Sequence, residues 1–283
     1  MAYLLALLSA AGYGAADFVG GLTARRTSTL AAVLVTQAAG LALLVAVLPW
    51  LPPSSPSVRD FVWGGVAGLM GSIGVGLLYR ALAIGTMAIV APLTAVCAVA
   101  IPVFASLMLG EQIGAFTAAG ILLAAVAIVL VSQQPSDRAT QMRPPRLLPT
   151  GVAEALCSGV AIGFFFLALA RTGPTAGLWP LVASRGVGAA VFAMAAVVRR
   201  APVRMSGPAL LLASGGGALD MTANALYLIA TRYGALSGVV TLSSLYPAST
   251  VLLARIVLGE RLGPLQVAGV ACALAAVTLI VGV

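Results

Sequence analysis

The sequence predicts an all-α integral membrane protein with ten transmembrane helices, arranged as two inverted five-helix repeats. The first observation is composition: of 283 residues, 61% are hydrophobic and only 8% are charged, whereas soluble domains are about a quarter charged. The second is that ten apolar segments each reach about 20 residues, the length that crosses a bilayer. The third is a constant offset that relates the first five segments to the last five.

The ten segments are separated mostly by short polar breaks. They cover residues 2–22, 29–49, 58–80, 85–109, 113–132, 149–171, 175–198, 208–231, 235–258 and 264–283. The first segment, MAYLLALLSA and onward, lacks a basic start, so it is interpreted as a membrane helix and not as a cleaved signal. The longest polar stretch lies at 133–148, is rich in Pro and Arg, and is interpreted as a linker between domains 2–132 and 149–283.

The two halves repeat with an offset of 149 residues. This offset places Leu109-Gly110-Glu111 on Leu258-Gly259-Glu260, and Gly85 on Gly234. Each half has an odd number of helices, so two halves that fold alike must enter the membrane from opposite sides. Inverted repeats of this kind are typical of secondary transporters, which bind substrate near the midplane between the halves.

Several motifs of the chain resemble those of EamA-type transporters, a family of the drug/metabolite transporter superfamily. The motifs are YGAADFVGGLTARR in the first helix, YRALAIGTMAIVAPLTAV across helices three and four, and LGEQIG and LGERLG after helices four and nine. The resemblance covers nearly the whole chain as two EamA-like units. It implies a ten-helix fold and export, or sometimes import, of small metabolites or drugs, without indicating a substrate. The first unit departs from the pattern, because Ala98 stands where the second unit has Pro247.

Ionisable residues at membrane depth are costly and therefore mark candidate sites. Asp220 lies near the middle of helix eight, and Asn224 and Tyr227 follow on the same face at i+4 and i+7. Arg185 lies near the middle of helix seven and needs an acidic partner or a watery cavity, with Asp220 or Glu154 as candidates. Either this group binds substrate, with Arg185 taking a carboxylate or phosphate, or it is a structural network between helices.

Asp17 lies about five residues from the end of helix one, with Tyr13 one turn before it. It either attracts a cationic substrate and exchanges protons, or is an interfacial acid that faces Arg25 or Arg26. Glu154, one turn into helix six, is either a coupling acid or a favourable charge at a helix N-terminus. Trp179 and Tyr246 fit a cavity wall or ordinary packing equally well.

The remaining candidates are structural. Glu111 and Glu260 occupy equivalent positions and are predicted to cap the helices that follow them. Pro92, Pro102 and Pro247 remove backbone hydrogen bonds and are predicted to kink helices four and nine, which would free carbonyl groups to line a cavity.

Rare residue types exclude several functions. There is no histidine, and Cys97, Cys157 and Cys272 all lie in apolar runs, so we expect no metal site, no cofactor and no disulfide framework. There is no lysine and no phosphate-binding loop motif, so we do not expect this chain to hydrolyse ATP to drive transport. The net charge is +8, and every basic side chain is an arginine. These arginines form no basic patch interleaved with aromatic residues, so nucleic acid is not an expected partner.

The leading hypothesis is a secondary transporter, and not an enzyme. It would export a small metabolite such as an amino acid by alternating access, with proton coupling or exchange. The main alternative is efflux of cationic drugs, and a channel or an intramembrane enzyme is less favoured. The expected partners are a small-molecule substrate, the lipid bilayer and protons, and the expected state is a monomer or homodimer in the cell membrane.

The arginines also predict an orientation. Ten of them lie in or beside the odd-numbered loops and three in or beside the even-numbered ones. Cytoplasmic loops carry an excess of arginine, so this count places both termini outside, whereas the resemblance implies both termini inside.

A reporter that is active only in the cytosol, fused to the C-terminus, tests the arginine count. We expect no reporter signal there, and a signal when the same reporter replaces the polar segment 133–148. A strong C-terminal signal would show that the family expectation is right and the count misleading.

Overall fold

A computed structural model describes residues 1–108, 114–132, 149–169, 171–233, 243 and 245–281. These residues form ten α-helices and no β-strand, which confirms the predicted all-α fold. In chain order they are α1 Ala2–Arg26, α2 Thr29–Val47, α3 Val58–Ile84, α4 Met87–Met108, α5 Ala115–Ser132, α6 Val152–Leu169, α7 Trp179–Val198, α8 Gly207–Tyr233, α9 Tyr246–Leu258 and α10 Pro264–Val281.

Length and apolar composition qualify five stretches of the described residues as membrane spans. These are Ala2–Arg26, Thr29–Trp50, Val58–Ile84, Val152–Leu169 and Trp179–Val198, and shorter apolar stretches occur in α4, α9 and α10. Many large apolar side chains on the helices are exposed, including Leu69, Phe164 and Leu211. In a membrane protein such side chains face lipid, because the solvent around the helices is itself apolar.

Local sequence signals account for several helix ends. Ser57 and Asp60 form a capping box at the start of α3, each side chain satisfying backbone N–H groups of the first turn. The Ser28 side chain caps α2 by accepting from the Ala31 N–H at 3.2 Å. Gly259 ends α9 in the left-handed conformation with φ 65°, which costs glycine nothing.

The second repeat is inverted relative to the first. In α1 and α8 residue numbers run in opposite directions along the contact: Ser9 donates a hydrogen bond to the Ala223 carbonyl at 2.8 Å, whereas Gly216 lies against Val19. Helix α1 points the same way as α3, because the helices alternate in direction. Helix α8, the equivalent of α3, therefore runs antiparallel to it, as the odd number of helices in each repeat requires.

Exchanging the two repeats reproduces most of the packing between the repeats. Contact α1–α8 corresponds to α3–α6, α2–α8 to α3–α7, and α1–α9 to α4–α6, and every one of these contacts is present. Helices α2, α4 and α5 each pack against their own equivalents α7, α9 and α10. The described helices are thus related by a pseudo-two-fold axis, and most of their contacts join one repeat to the other.

Glycines allow the helices of the two repeats to approach closely. A Cβ atom added at Gly217 in α8 would lie 2.3 Å from the Thr36 carbonyl oxygen of α2, and one added at Gly68 in α3 would lie 2.6 Å from the Ser184 carbonyl oxygen of α7. The two glycines are equivalents in the repeat, and their carbonyl partners differ by one residue in the repeat register. Small residues at such crossings are the usual means of holding helices together in lipid.

Two sequence predictions need correction. The seventh helix begins at Trp179 and not at residue 175, after a short 3-10 turn over Pro174–Ala176. Pro247 lies in the first turn of α9, after a turn at Leu245, so the predicted kink is a helix start, where the missing N–H costs little. Helix α4 is continuous through Pro92 and Pro102, and a bend of its axis at these residues stays a prediction.

Two neighbouring glycines in α8 provide a test of this packing. Gly217→Ala should lower the free energy of unfolding by about 1–3 kcal/mol, because its methyl group would meet the backbone of α2. Gly215 has no atom within 4 Å of an added Cβ, so Gly215→Ala should leave stability unchanged or raise it by up to about 1 kcal/mol. Thermal unfolding in detergent measures both, and equal stability of the two variants would contradict the described α2–α8 contact.

Candidate functional site

Arg185 is the centre of a polar cluster that joins the two repeats. Its side chain projects from α7, and its two terminal nitrogens donate hydrogen bonds to Gln37 of α2 and Asp220 of α8. The side chain is only 12% exposed, so the cluster lies inside the bundle. The Arg185 charge is neutralised by Asp220 and its remaining donor capacity is partly met by Gln37, as a buried cation requires.

Helix packing positions these groups. The Gly188 backbone, one turn after Arg185, lies against the Gln37 amide, since an added Cβ would be 2.3 Å from Nε2. Asn224 donates to the Asp220 main-chain carbonyl at 2.8 Å, and the same nitrogen lies 3.4 Å from the Asp220 carboxylate. The cluster is therefore built from α2, α7 and α8, with each polar side chain held by a neighbour.

The structure brings Arg185 to Asp220 and not to Glu154, the other partner considered. Glu154 lies 3.6 Å from the Arg80 side chain at the start of α6, outside the cluster. Tyr227, the third residue of the predicted stripe on α8, packs against Ala2, Ala6 and Ala230 near the first turns of α1. Of the three stripe residues, only Asp220 and Asn224 are joined by a hydrogen bond.

Gln37 and Tyr79 are members of this region that the sequence analysis missed. Gln37 lies in the middle of an apolar segment. A polar amide at that depth needs a hydrogen-bond partner, and this could have marked Gln37 as a candidate. Tyr79 is 3% exposed and its ring packs over Gly20 of α1. The ring therefore lies about one helical turn from Asp17.

Asp17 is half-buried in α1 and differs from the other described acids. It has no hydrogen bond or ion pair within the described residues, whereas the carboxylates of Asp60, Glu154, Asp220 and Glu260 are all partnered. Asp17 lies on the part of α1 that packs against α8, between Gly12, which contacts Ala223, and Val19, which contacts Gly216. A second carboxylate thus belongs to the helix that packs beside Asp220, whose own carboxylate is occupied by Arg185.

The predicted neighbours of Asp17 are placed differently. Tyr13 is not hydrogen-bonded to it, and its ring packs edge-on against Tyr246 of α9 at a centroid distance of 6.3 Å. Arg25 donates to the carbonyls of Leu82 and Gly85 and pairs with Glu260. The prediction that Arg25 faces Asp17 is therefore wrong.

Helix α9 approaches α1 closely at the level of the tyrosines. Thr250 donates to the Gly14 carbonyl at 3.0 Å, and an added Cβ at Gly14 would overlap Ser249. The first turn of α9, which contains Tyr246, is thereby held one helical turn from Asp17. Tyr246 packs against Tyr13 and against the apolar cluster that includes Ala95 and Val96. Trp179 is the first residue of α7 and packs against Phe61 at a centroid distance of 6.0 Å.

Glu260 caps a helix, but not the one predicted. Its carboxylate accepts from the N–H groups of Met87 and Ala88 at 3.1 and 3.0 Å, so it caps α4 of the other repeat and not α10. Glu111 lies outside the described residues. At the opposite end of the bundle, Asp60 accepts from the Gly173 N–H at 2.7 Å. Both ends therefore carry a carboxylate that joins the two repeats.

A family model matches both halves of the chain, over residues 1–133 and 149–282, and its description is EamA-like transporter family. The chain belongs to the EamA-like transporter family. It is accordingly a multi-pass membrane protein of a transporter family, built of two tandem EamA repeats, which confirms the resemblance described above.

The comparison with solved structures shows the same fold. One match, titled only as a crystal structure of a protein, has a TM-score of 0.58 at 18% identity and covers 96% of this chain and 95% of that one. At this identity the likeness extends to the fold alone. No curated protein matches the chain.

The Arg185–Asp220 pair predicts a strong coupling between the two residues. Arg185→Gln should lower the free energy of unfolding by about 3–5 kcal/mol, because Asp220 is left as an uncompensated charge, and Asp220→Asn should act likewise through Arg185. The double variant should recover much of this loss. Thermal unfolding of the four proteins in detergent gives the coupling, and additive losses would contradict a direct ion pair.

Proposed function

We propose that the protein exports a small zwitterionic metabolite, such as an amino acid, by alternating access around the Arg185–Asp220 cluster. The observation that supports this most is that a cation and a carboxylate lie side by side between the repeats, within reach of a second carboxylate, Asp17. An α-amino acid carries one carboxylate and one ammonium group. The cluster therefore offers an opposite charge for each.

Exchange of partners makes this binding energetically feasible. Opening the buried Arg185–Asp220 pair leaves two desolvated charges, which is strongly unfavourable unless each is paired again. A zwitterion does so by placing its carboxylate on the Arg185 guanidinium, whose fork suits a bidentate contact, and its ammonium group on Asp220 or Asp17. An uncharged ligand offers no such compensation, so the cluster favours zwitterions over neutral molecules of the same size.

The position of the cluster suits alternating access. It joins α2 of the first repeat to α7 and α8 of the second, and transporters with inverted repeats rock one repeat against the other around such a site. Glu260 ties the repeats at one end and Asp60 does so at the other. We propose that opening to one side of the membrane breaks the hydrogen bonds of one of these carboxylates while those of the other remain. The segment 133–148 would link the two domains, 2–132 and 149–283, throughout.

Asp17 is the group that we propose as proton carrier. It is the acid that lacks a partner within the described part of the chain, so its protonation breaks no ion pair there. Exchange of one substrate for another is the other means of driving transport that the cluster permits. We further propose export as the direction, as the family resemblance implies, in the cell membrane and as a monomer or homodimer.

A second candidate function is efflux of amphipathic cations. It is favoured by the surroundings of Asp17, which lacks a partner within the described residues. Tyr13 lies one helical turn before it, Tyr246 packs against Tyr13, and the Tyr79 ring packs over Gly20 one turn after it. Aromatic faces attract organic cations. In this case the Arg185–Asp220 pair would remain closed, and Asp17 would carry the substrate.

Counterflow in proteoliposomes distinguishes the two functions. The protein is offered labelled amino acids of several side-chain classes and, separately, cationic dyes, and native protein is compared with Arg185→Ala. We expect amino-acid exchange to fall by at least about thirtyfold in the variant, since a buried charged contact is lost. Arg199→Ala, which removes an exposed arginine at the end of α7, is the matched control and should leave exchange unchanged.

Three outcomes decide the proposal. Loss of amino-acid exchange in Arg185→Ala but not in the control supports a carboxylate site at Arg185. Dye movement that survives Arg185→Ala and is lost in Asp17→Asn transfers the function to cation efflux. Amino-acid exchange that continues unchanged in folded Arg185→Ala and Asp220→Asn proteins would remove the cluster from the mechanism.

A further inference from the structure

A cavity of about 620 Å³ lies outside the polar cluster, between the first turn of α4, the end of α9 and the start of α10. Its inner wall is apolar and includes Val251 and Val270. Its rim is charged and contains Arg255, Glu260 and Arg261. A space with an apolar interior and a charged rim suits an amphipathic ligand and does not resemble the central cluster.

The rim has an excess of positive charge. Arg255 and Arg261 are exposed and make no hydrogen bond or ion pair with the described residues. Glu260 is already engaged, because its carboxylate accepts from two N–H groups of α4 and pairs with Arg25 at 3.2 Å. The negative charge of Glu260 is therefore compensated. Among the described rim residues, Arg255 and Arg261 then favour a negatively charged ligand.

The cavity lies at the edge of the bundle, where the helices meet lipid. Ile256 and Val257, beside Arg255 on α9, are 70% and 57% exposed, and Leu265 at the start of α10 is 56% exposed. Apolar side chains this exposed on membrane helices contact acyl chains. Arg255 lies in the last turn of α9 and Arg261 follows the end of that helix, and arginine side chains at the ends of membrane helices reach lipid phosphates.

We propose that this cavity binds an anionic phospholipid, with the headgroup phosphate on Arg255 and Arg261 and one acyl chain along Val251 and Val270. The two guanidinium groups suit a phosphate, which they bind with several hydrogen bonds at once. The apolar wall accepts an acyl chain, and the exposed side chains of α9 continue that surface into the bilayer. This site is independent of the substrate proposed for the central cluster.

Lipid binding to the purified full-length protein tests the site. Native mass spectrometry in detergent counts bound phosphatidylglycerol against phosphatidylcholine, for native protein and for the double variant Arg255→Gln/Arg261→Gln. We expect preferential binding of phosphatidylglycerol, weakened about thirtyfold in the variant, the effect of two arginines near an anionic headgroup. The double variant Arg199→Gln/Arg200→Gln removes the same charge at the same end of the bundle and should weaken binding less than about threefold.

A second variant separates the cavity from general surface charge. Val251→Phe fills the apolar wall and leaves both arginines in place, so it should also reduce phosphatidylglycerol binding if the acyl chain enters the cavity. Thermal unfolding without lipid checks that each variant is folded. If only one of the two cavity variants is folded, its lipid binding alone decides the test.

The proposal is overturned by equal binding of the two lipids to native protein. It is also overturned if the Arg199/Arg200 control loses as much binding as the Arg255/Arg261 variant, since that indicates surface charge only. Inorganic phosphate that competes fully with phosphatidylglycerol at millimolar concentration would show a free-phosphate site and not a lipid site. Loss of phosphatidylglycerol preference confined to the cavity variants supports the assignment.

Discussion

The close approach of backbones between the two repeats is the constraint on which the rest of the structure depends. Lipid is as apolar as leucine, so no hydrophobic force drives one membrane helix against another. The helices of this protein meet instead where glycine exposes the main chain, as at Gly217 on Thr36 and Gly68 on Ser184. Because the two glycines are equivalents in the repeat, the same kind of crossing is used twice, once on each side of the pseudo-two-fold axis.

This packing sets where charge can be buried. Helices that touch through their backbones leave room for long polar side chains only beside the crossings. Gly188 allows the Gln37 amide to lie against α7, one turn from Arg185, and Gly217 brings α2 within one turn of Asp220. The cluster is thus a consequence of the same small residues that hold the repeats together. A substitution that moves α2 away from α7 or α8 would separate the guanidinium from its acceptors.

The sequence predicted the fold better than the site, for a physical reason. Apolar length and the 149-residue offset are properties of whole segments, so ten helices and two repeats follow from them without knowledge of any contact. Partners across helices depend on rotation and depth, which composition does not specify. Asp220 and Glu154 both fitted Arg185 by sequence, and only the packing of α7 and α8 against α2 shows that Asp220 is the partner. Glu260 was similarly recognised as a cap, but its helix, α4, belongs to the other repeat.

The symmetry of the helix packing does not extend to the charges of the central cluster. The equivalents of Arg185 and Asp220 are Thr36 and Gly71. At Gly71 the ring of Phe165 from α6 occupies the space beside the helix, 3.0 Å from an added Cβ. The position related by the two-fold axis is therefore filled by an aromatic ring and carries no charge. Within the described residues, the Arg185–Asp220 pair therefore has no counterpart at the equivalent position of the first repeat, and under the proposed function the two halves share a single site for a zwitterion.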